Sequence, residues 1–226
     1  TMHLTRRQDI RVGGLIPGLV LAILGTTAEP ATSVEVPQAS PATSVSAPGP
    51  SAKEVSDSLK TAGSLVDTGA TTSQTAEGFA TSDAAVVIPL DAGGPVAIEG
   101  SDGSSVNIGL PGDGRIDAKQ TADGILFQGA ATDTTVIAKA THDGGTQLLV
   151  VLGSRESPTS FAFPVSGDAG SSLVQNYDGS VTLLGLVATP DGTVAQVVQG
   201  EFAPPWAIDA EGNSVQTSYE VRDMEL

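Results

Sequence analysis

Hydrophobic and polar positions divide the chain into three stretches of different character. Residues 12–25, "VGGLIPGLVLAILG", carry no polar side chain at all. Residues 29–82 reverse this and contain hardly any large apolar side chain. From residue 83 onward, short β-branched runs alternate with glycine-containing turns: "AAVVIPL", "PVAIE", "SSVNIGL", "GILFQG", "TTVIAKA", "TQLLVVLG", "SFAFPV", "SLVQN", "SVTLLGLVA" and "TVAQVVQG". Such runs between turn residues read as strands. The turns contain Asp102-Gly103, Asp113-Gly114, Asp123-Gly124, Asp143-Gly144, Asp178-Gly179 and Asp191-Gly192. Asp-Gly supplies the positive φ of type I′ turns, so each pair predicts a hairpin. No amphipathic helix of ordinary length follows residue 83. The predicted fold is all-β, an antiparallel meander or sandwich of short strands joined by Asp-Gly turns. A repeat array is the weaker alternative, because the turns recur while the strand sequences do not.

The apolar stretch has the character of an export signal. A cationic flank holding His3, Arg6, Arg7 and Arg11 precedes it, and the small residues of "TTAEPA" follow it. This is the three-part pattern of a signal peptide, with cleavage expected after Ala28. The run is too short to span a bilayer as a helix, and Gly13, Gly14, Pro17 and Gly18 disfavour one. A buried core segment is the competing reading. Arg6-Arg7 also fits a twin-arginine signal, although Asp9 stands where that pattern carries an apolar residue. General export is favoured. Thr1, ahead of Met2, reads as an upstream remnant or a start-site artefact.

Residues 29–82 form the expected linker or stalk, since Pro/Ala/Ser/Thr composition cannot bury enough surface to offset ordering entropy. One short helix is predicted near residues 51–65. Ser51 and Glu54 have capping-box spacing, while Val55, Leu59 and Ala62 share a side. Isolated helices of that length are marginal in water, so fraying is expected. The organisation is therefore a signal peptide at 1–28, a disordered linker at 29–82 and a β-rich domain at 83–226.

Composition narrows the function. Ten basic against 26 acidic side chains give a net charge of −16, which disfavours nucleic acid and anionic membranes as partners. Aromatics are 4% of residues, so Val, Ile, Leu and Ala must build the core. With no cysteine there is no disulfide, thiolate-zinc site or thiol nucleophile. Beyond the signal the one histidine is His142, at a predicted hairpin apex, and no G-x-S-x-G or H-E-x-x-H motif occurs. Calcium loops of the D-x-[DN]-x-[DN]-G type are also missing. Carboxylates are numerous, and six of the aspartates precede turn glycines. No catalytic, cofactor or metal residue is assigned, and no cofactor is expected.

The C-terminal stretch "FAPPWAIDAEGNSVQTSYEVRDMEL" holds the only tryptophan. Pro204-Pro205 interrupt a strand, Trp206-Ala207-Ile208 resume it, and Glu211-Gly212-Asn213 turn it back. Val215, Thr217, Tyr219 and Val221 would then line one face of a returning strand, across from Trp206 and Ile208. Trp206 can pack in the core or face a ligand, and core packing is favoured. Pro205, Trp206, Ala207, Asp209, Ala210, Gly212, Val215, Thr217, Tyr219, Glu220 and Val221 match a P-W-A-x-D-A-x-G-x-x-V-x-T-x-Y-E-V segment. The stretch thus resembles a set of uncharacterised secreted actinobacterial proteins, in which that segment closes a β-rich region. The resemblance implies a further strand after it, whereas this chain departs at residues 222–226. It implies no activity.

The expected function is a secreted or envelope-associated, non-enzymatic β-domain that binds an extracellular or cell-wall partner or serves structurally. Two alternatives stand beside it: an extracellular glycan hydrolase using a carboxylate pair, and the leader region of a longer modular secreted protein. Once the signal is removed, no stable membrane span is expected. If the export reading holds, mass spectrometry of the protein recovered outside the cell finds Glu29 at its N-terminus. Recovery only from the cytoplasm, still beginning at Met2, contradicts it.

Overall fold

The computed structural model describes residues 16–25, as backbone only, and residues 49–101, 103–112, 116–189 and 192–226. The rest of the expected signal peptide, linker residues 29–48, Asp102, the Asp113-Gly114 pair and Asp191 lie outside the described residues. In chain order the elements begin with strand β1 (Ile16–Gly25), helix α1 (Ala52–Ala62) and a 3₁₀ turn (Gly63–Leu65). Strands β2 (Ser73–Gln74), β3 (Gly78–Ala80), β4 (Val86–Pro89), β5 (Val96–Glu99) and β6 (Ser105–Ile108) follow. Next come β7 (Lys119–Thr121), β8 (Gly124–Gln128), β9 (Thr134–Ala140), β10 (Thr146–Leu152) and β11 (Val165–Ser166). The chain continues with β12 (Ser172–Gln175), β13 (Val181–Ala188), β14 (Val194–Phe202), β15 (Trp206–Ile208) and β16 (Ser214–Val215).

These strands form two sheets. The larger runs β12-β13-β14-β1-β10-β9-β8-β7, with β15 also paired to β1 and β16 to β15. The smaller runs β11-β6-β5-β4-β3-β2. The all-β expectation holds, in the form of a sandwich. Every strand pairing is antiparallel except those made by β1, which runs parallel to β10, β14 and β15.

Alternation along each strand decides which face is buried. Ile88, Val96, Ile98 and Ile108 of the smaller sheet meet Phe127, Val136, Leu148, Val150 and Leu183 of the larger one in the main core. On the opposite face of the larger sheet, Leu126, Ile137, Leu149, Val151 and Ile208 pack under Val55, Leu59 and Ala62 of α1. Strands β9 and β10 are therefore covered on both sides, and all their residues but Leu152 are buried.

Helix α1 is the clearest departure from the linker expectation. Its capping box forms as predicted: the Ser51 hydroxyl accepts from the Glu54 amide, and the Glu54 carboxylate accepts from the Ser51 amide at 2.8 Å. Lys53 and Lys60 both reach Asp57, at 2.7 and 3.1 Å, on the exposed side. The helix does not stand alone, however. Burying side chains of this kind contributes roughly 1.5–3 kcal/mol each, which the marginal isolated helix lacks. The segments flanking it are tied to the same sheet. Gln128 Nε2 donates to the Gly49 carbonyl and Thr135 Oγ1 to the Pro50 carbonyl, both at 2.7 Å. Beyond the helix, the buried Gln147 amide donates to the Leu65 carbonyl and accepts from the Asp67 amide. Phe79 of β3 enters the main core. Residues 49–82 are thus part of the packed fold, which does not start near residue 83.

The Asp-Gly turns also differ in type from the prediction. At Gly144 and Gly179 φ is positive, while Asp143 and Asp178 keep negative φ. Thr141 N–H bonds Gly145 O as Gly144 N–H bonds Thr141 O, and Asn176 to Ser180 repeats the pattern. This is a three-residue loop ending in a left-handed glycine bulge, in place of type I′. Only the glycine needs the unusual conformation; the aspartate contributes its side chain.

Leu59 gives the direct test of the helix-covered face. Leu59→Ala should destabilise the protein by about 2–4 kcal/mol in urea titration, the cost of emptying a packed site. Leu65→Ala, at an exposed position just beyond the helix, should change stability by less than about 0.5 kcal/mol. Equal, negligible effects would mean that α1 is a frayed linker.

Candidate functional site

Side chains able to do acid–base chemistry sit mainly at turn apices. His142 is exposed in the β9–β10 turn, at the predicted hairpin apex. Beside it, Asp143 accepts from the Thr141 hydroxyl and the Gly145 amide. Asp178 accepts from the Ser180 amide and hydroxyl, at 3.1 and 2.7 Å. Asp209 takes the Asn213 amide, the Glu211 amide and the Asn213 side chain. The Asn213 hydrogen bonds, side chain first, hold its carboxyl below the usual aspartate value. These carboxylates complete their own turns.

Two aspartates are neighbours in the backbone pairing. Asp91 and Asp117 face each other across an antiparallel bridge. The flanking bonds, Ala92 N–H to Ile116 O and Ala118 N–H to Leu90 O, make it a non-hydrogen-bonded pair, the closer type. Asp91 is engaged by the Gly93 amide at 2.8 Å, and Asp117 is exposed. Neither lines the two clefts described below. Among the described residues, no three His, Cys, Asp or Glu side chains gather as a metal site.

The first cleft, about 280 Å³, opens where residues 68–72 cross β7, β8 and β9. Thr and Ala dominate its lining, and Lys139 is its one cation. Lys139 is only 8% exposed. Its stem passes close to Gly69 and Gly124, where any Cβ would crowd it. Its ammonium donates to the Asp67 carbonyl at 2.5 Å. Burial pushes the Lys139 pKa below the ordinary 10.5, against the attraction of Asp123 and Asp67. This lysine pins the chain leaving α1 to the sheet. The second cleft, about 370 Å³, lies between residues 159–162 and the C-terminal segment, with Tyr219, Arg222 and Glu225 in its wall.

The C-terminal hairpin is shorter than the sequence implied. β15 and β16 pair only through Ala207–Val215 and Ile208–Ser214, after which the chain leaves the ladder. Trp206 packs, partly buried, against the helix-side cluster, in line with the favoured core reading. Tyr219 is buried in the main core instead. The two rings therefore do not share a face, as the long returning strand would have required. The last residues turn back onto the 163–165 segment: Val165 N–H bonds Met224 O at 2.7 Å, and Phe163 N–H bonds Leu226 O at 3.0 Å.

Two features of binding character went unread in the sequence. One is the outer face of the β12–β13–β14 ribbon. Val174, Leu186, Val194 and Val198 are all exposed there, Val194 by 65%, beside the uncharged Thr182 and Gln196, and Glu201 lies opposite Thr182 as an exposed charge on the same face. The signal was present as adjacent aliphatic pairs that put apolar side chains on both faces, Leu183-Leu184 and Leu186-Val187 in β13 and Val197-Val198 in β14. The other is β1, placed between β10 and the line of β14 and β15. Residues 12–25 were read for export, and their apolar run also suits a strand covered on both faces.

Lys139 predicts a pH dependence. With its pKa lowered in the fold, the unfolded chain binds more protons between the folded value and 10.5. Stability then rises with pH across that window, and the penalty of the buried charge is fully present below it. In urea titrations, wild type should gain on Lys139→Met as pH rises toward 10.5; a constant difference contradicts the buried, charged lysine. No family model, curated protein or solved structure matches this chain.

Proposed function

We propose that this chain is a secreted or envelope-associated, non-enzymatic β-module that acts by binding an extracellular or cell-wall partner. The observation that carries the reading is the largely apolar outer face of the β12–β13–β14 ribbon, which Glu201 borders at the Thr182 end. On a chain with net charge −16, four exposed aliphatic side chains on one face form the kind of patch that marks an interaction surface. The turn chemistry supports the same reading, because His142, Asp143 and Asp178 stand at exposed apices, where no preorganised, water-excluding pocket surrounds them. Export rests on the N-terminal pattern, and placement in the envelope on the Pro/Ala/Ser/Thr stalk and the C-terminal resemblance.

Co-sedimentation with isolated cell-wall fragments tests this directly. The full chain should pellet with the walls, and Leu186→Lys with Val194→Lys should lower the bound fraction about tenfold while leaving the unfolding midpoint near wild type. No reducing ends should be released. Sugar release above a boiled control would favour the hydrolase alternative, and equal pelleting of the variant would remove the ribbon from the interface.

A further inference from the structure

The larger sheet is held together at its middle by a strand of exceptional kind. β1 alone runs parallel to its neighbours, and it contacts two edges at once. On one side Val20 to Gly25 lie in register with Gln147 to Leu152 of β10. On the other, Ile16 and Leu19 pair with Gly200 and Phe202 of β14, and Ala22, Ile23 and Leu24 with Trp206, Ala207 and Ile208 of β15. Between β14 and β15 stand Pro204 and Pro205, which have no N–H to give a ladder. A strand spanning both is what makes one edge of two pieces.

With β1 removed, β10 and the β14–β15 line would stand two interstrand spacings apart, about 10 Å, too far to bond each other. Both would present unpaired N–H and C=O groups inside a sheet that is otherwise closed at that point. The walls of the gap are apolar on both faces. Leu149, Val151 and Ile208 lie on the helix side, and Leu148, Val150 and Phe202 on the main-core side. An occupant must therefore be extended, uncharged and aliphatic at every position, not at alternate ones. Residues 19–24, "LVLAIL", meet that requirement, while Pro17 and Gly18 fall where the pairing with β14 is irregular. Residues 16–25 also belong to the apolar part of the expected export signal, so cleavage after Ala28 would sever them from the domain they complete.

We propose that the gap between β10 and the β14–β15 edge is a strand-acceptor site for an extended, uncharged aliphatic segment. Residues Ile16–Gly25 are its occupant in the uncut chain, and a peptide of that chemistry replaces them in trans after cleavage. Recognition is by main-chain bonds along both edges, as in β-strand addition, with the apolar walls excluding charged sequences. The site is separate from the ribbon face, and replacement in trans rests on the export reading, which supplies the cleavage.

Trp206, the only tryptophan, lies opposite Ala22 in this ladder and reports on the slot. A specific protease site is placed within residues 29–48 of the full chain, and the folded protein is cut. The N-terminal fragment should co-elute with residues 49–226 on size exclusion. A synthetic peptide of residues 16–25 with lysine tails should displace it saturably, with a transient change in Trp206 emission as the slot empties and refills. The same peptide with Ile23→Pro should bind at least tenfold more weakly. If the cut protein precipitates, the parent peptide should keep it soluble and the proline peptide should not. The proposal is overturned if the fragment separates with Trp206 emission unchanged. It is overturned equally if the proline peptide performs as well as the parent, or if neither peptide rescues solubility.

Discussion

The β9–β10 hairpin is buried on both faces, and the other layers are arranged by that condition. Each strand sends alternate aliphatic side chains into the main core and under α1, so neither sheet face can be left to solvent. The smaller sheet covers one side. On the other, a helix of only 11 residues suffices, because Val55, Leu59 and Ala62 sit over Ile137, Leu149 and Val151. Polar groups caught in this arrangement are satisfied by the segments that cross it. Thr135 and Gln147 hold the chain on either side of α1 through its backbone, and Lys139 holds Asp67. A low-aromatic chain thereby gains two apolar layers from one hairpin.

Most strands were legible because Val, Ile and Thr runs end sharply at Asp-Gly turns. The capping box of α1 and its apolar side were legible too, since both are local spacings. What local spacing could not show was that α1 packs, because its partners Leu126, Ile137, Leu149 and Ile208 lie far along the chain. Three-residue β3 and two-residue β2 sit in Ser/Thr-rich sequence where no periodicity can build up. The turn type was misread for a physical reason: Asp-Gly permits two positive φ values, yet a single left-handed glycine after a type I turn closes these hairpins. Trp206 was correctly expected to pack. Its separation from Tyr219 depends on the chain leaving the β15–β16 ladder after Val215, which the apparent alternation through Val221 concealed.

Candidate chemistry was easier to place by sequence than candidate binding. Aspartate before glycine in a turn is a hydrogen-bond acceptor for its own loop, and Asp143 and Asp178 behave so, as does Asp209 before Ala210. The apolar ribbon and the gap at β1 are properties of pairing order. Neither exists until strands distant in sequence are laid side by side. A segment that reads as an export signal and a segment that completes a sheet need the same thing, an uninterrupted aliphatic run, and only topology separates the two uses.

The central claim is that β9 and β10 are the most protected part of the molecule because both their faces are covered. Native-state hydrogen exchange measures this residue by residue. Amides of residues 136–138 and 148–150 should exchange only through global unfolding, with opening free energies equal to that from urea titration. Exchange of those amides through local opening, at rates like those of the exposed β13–β14 tip, would contradict the account.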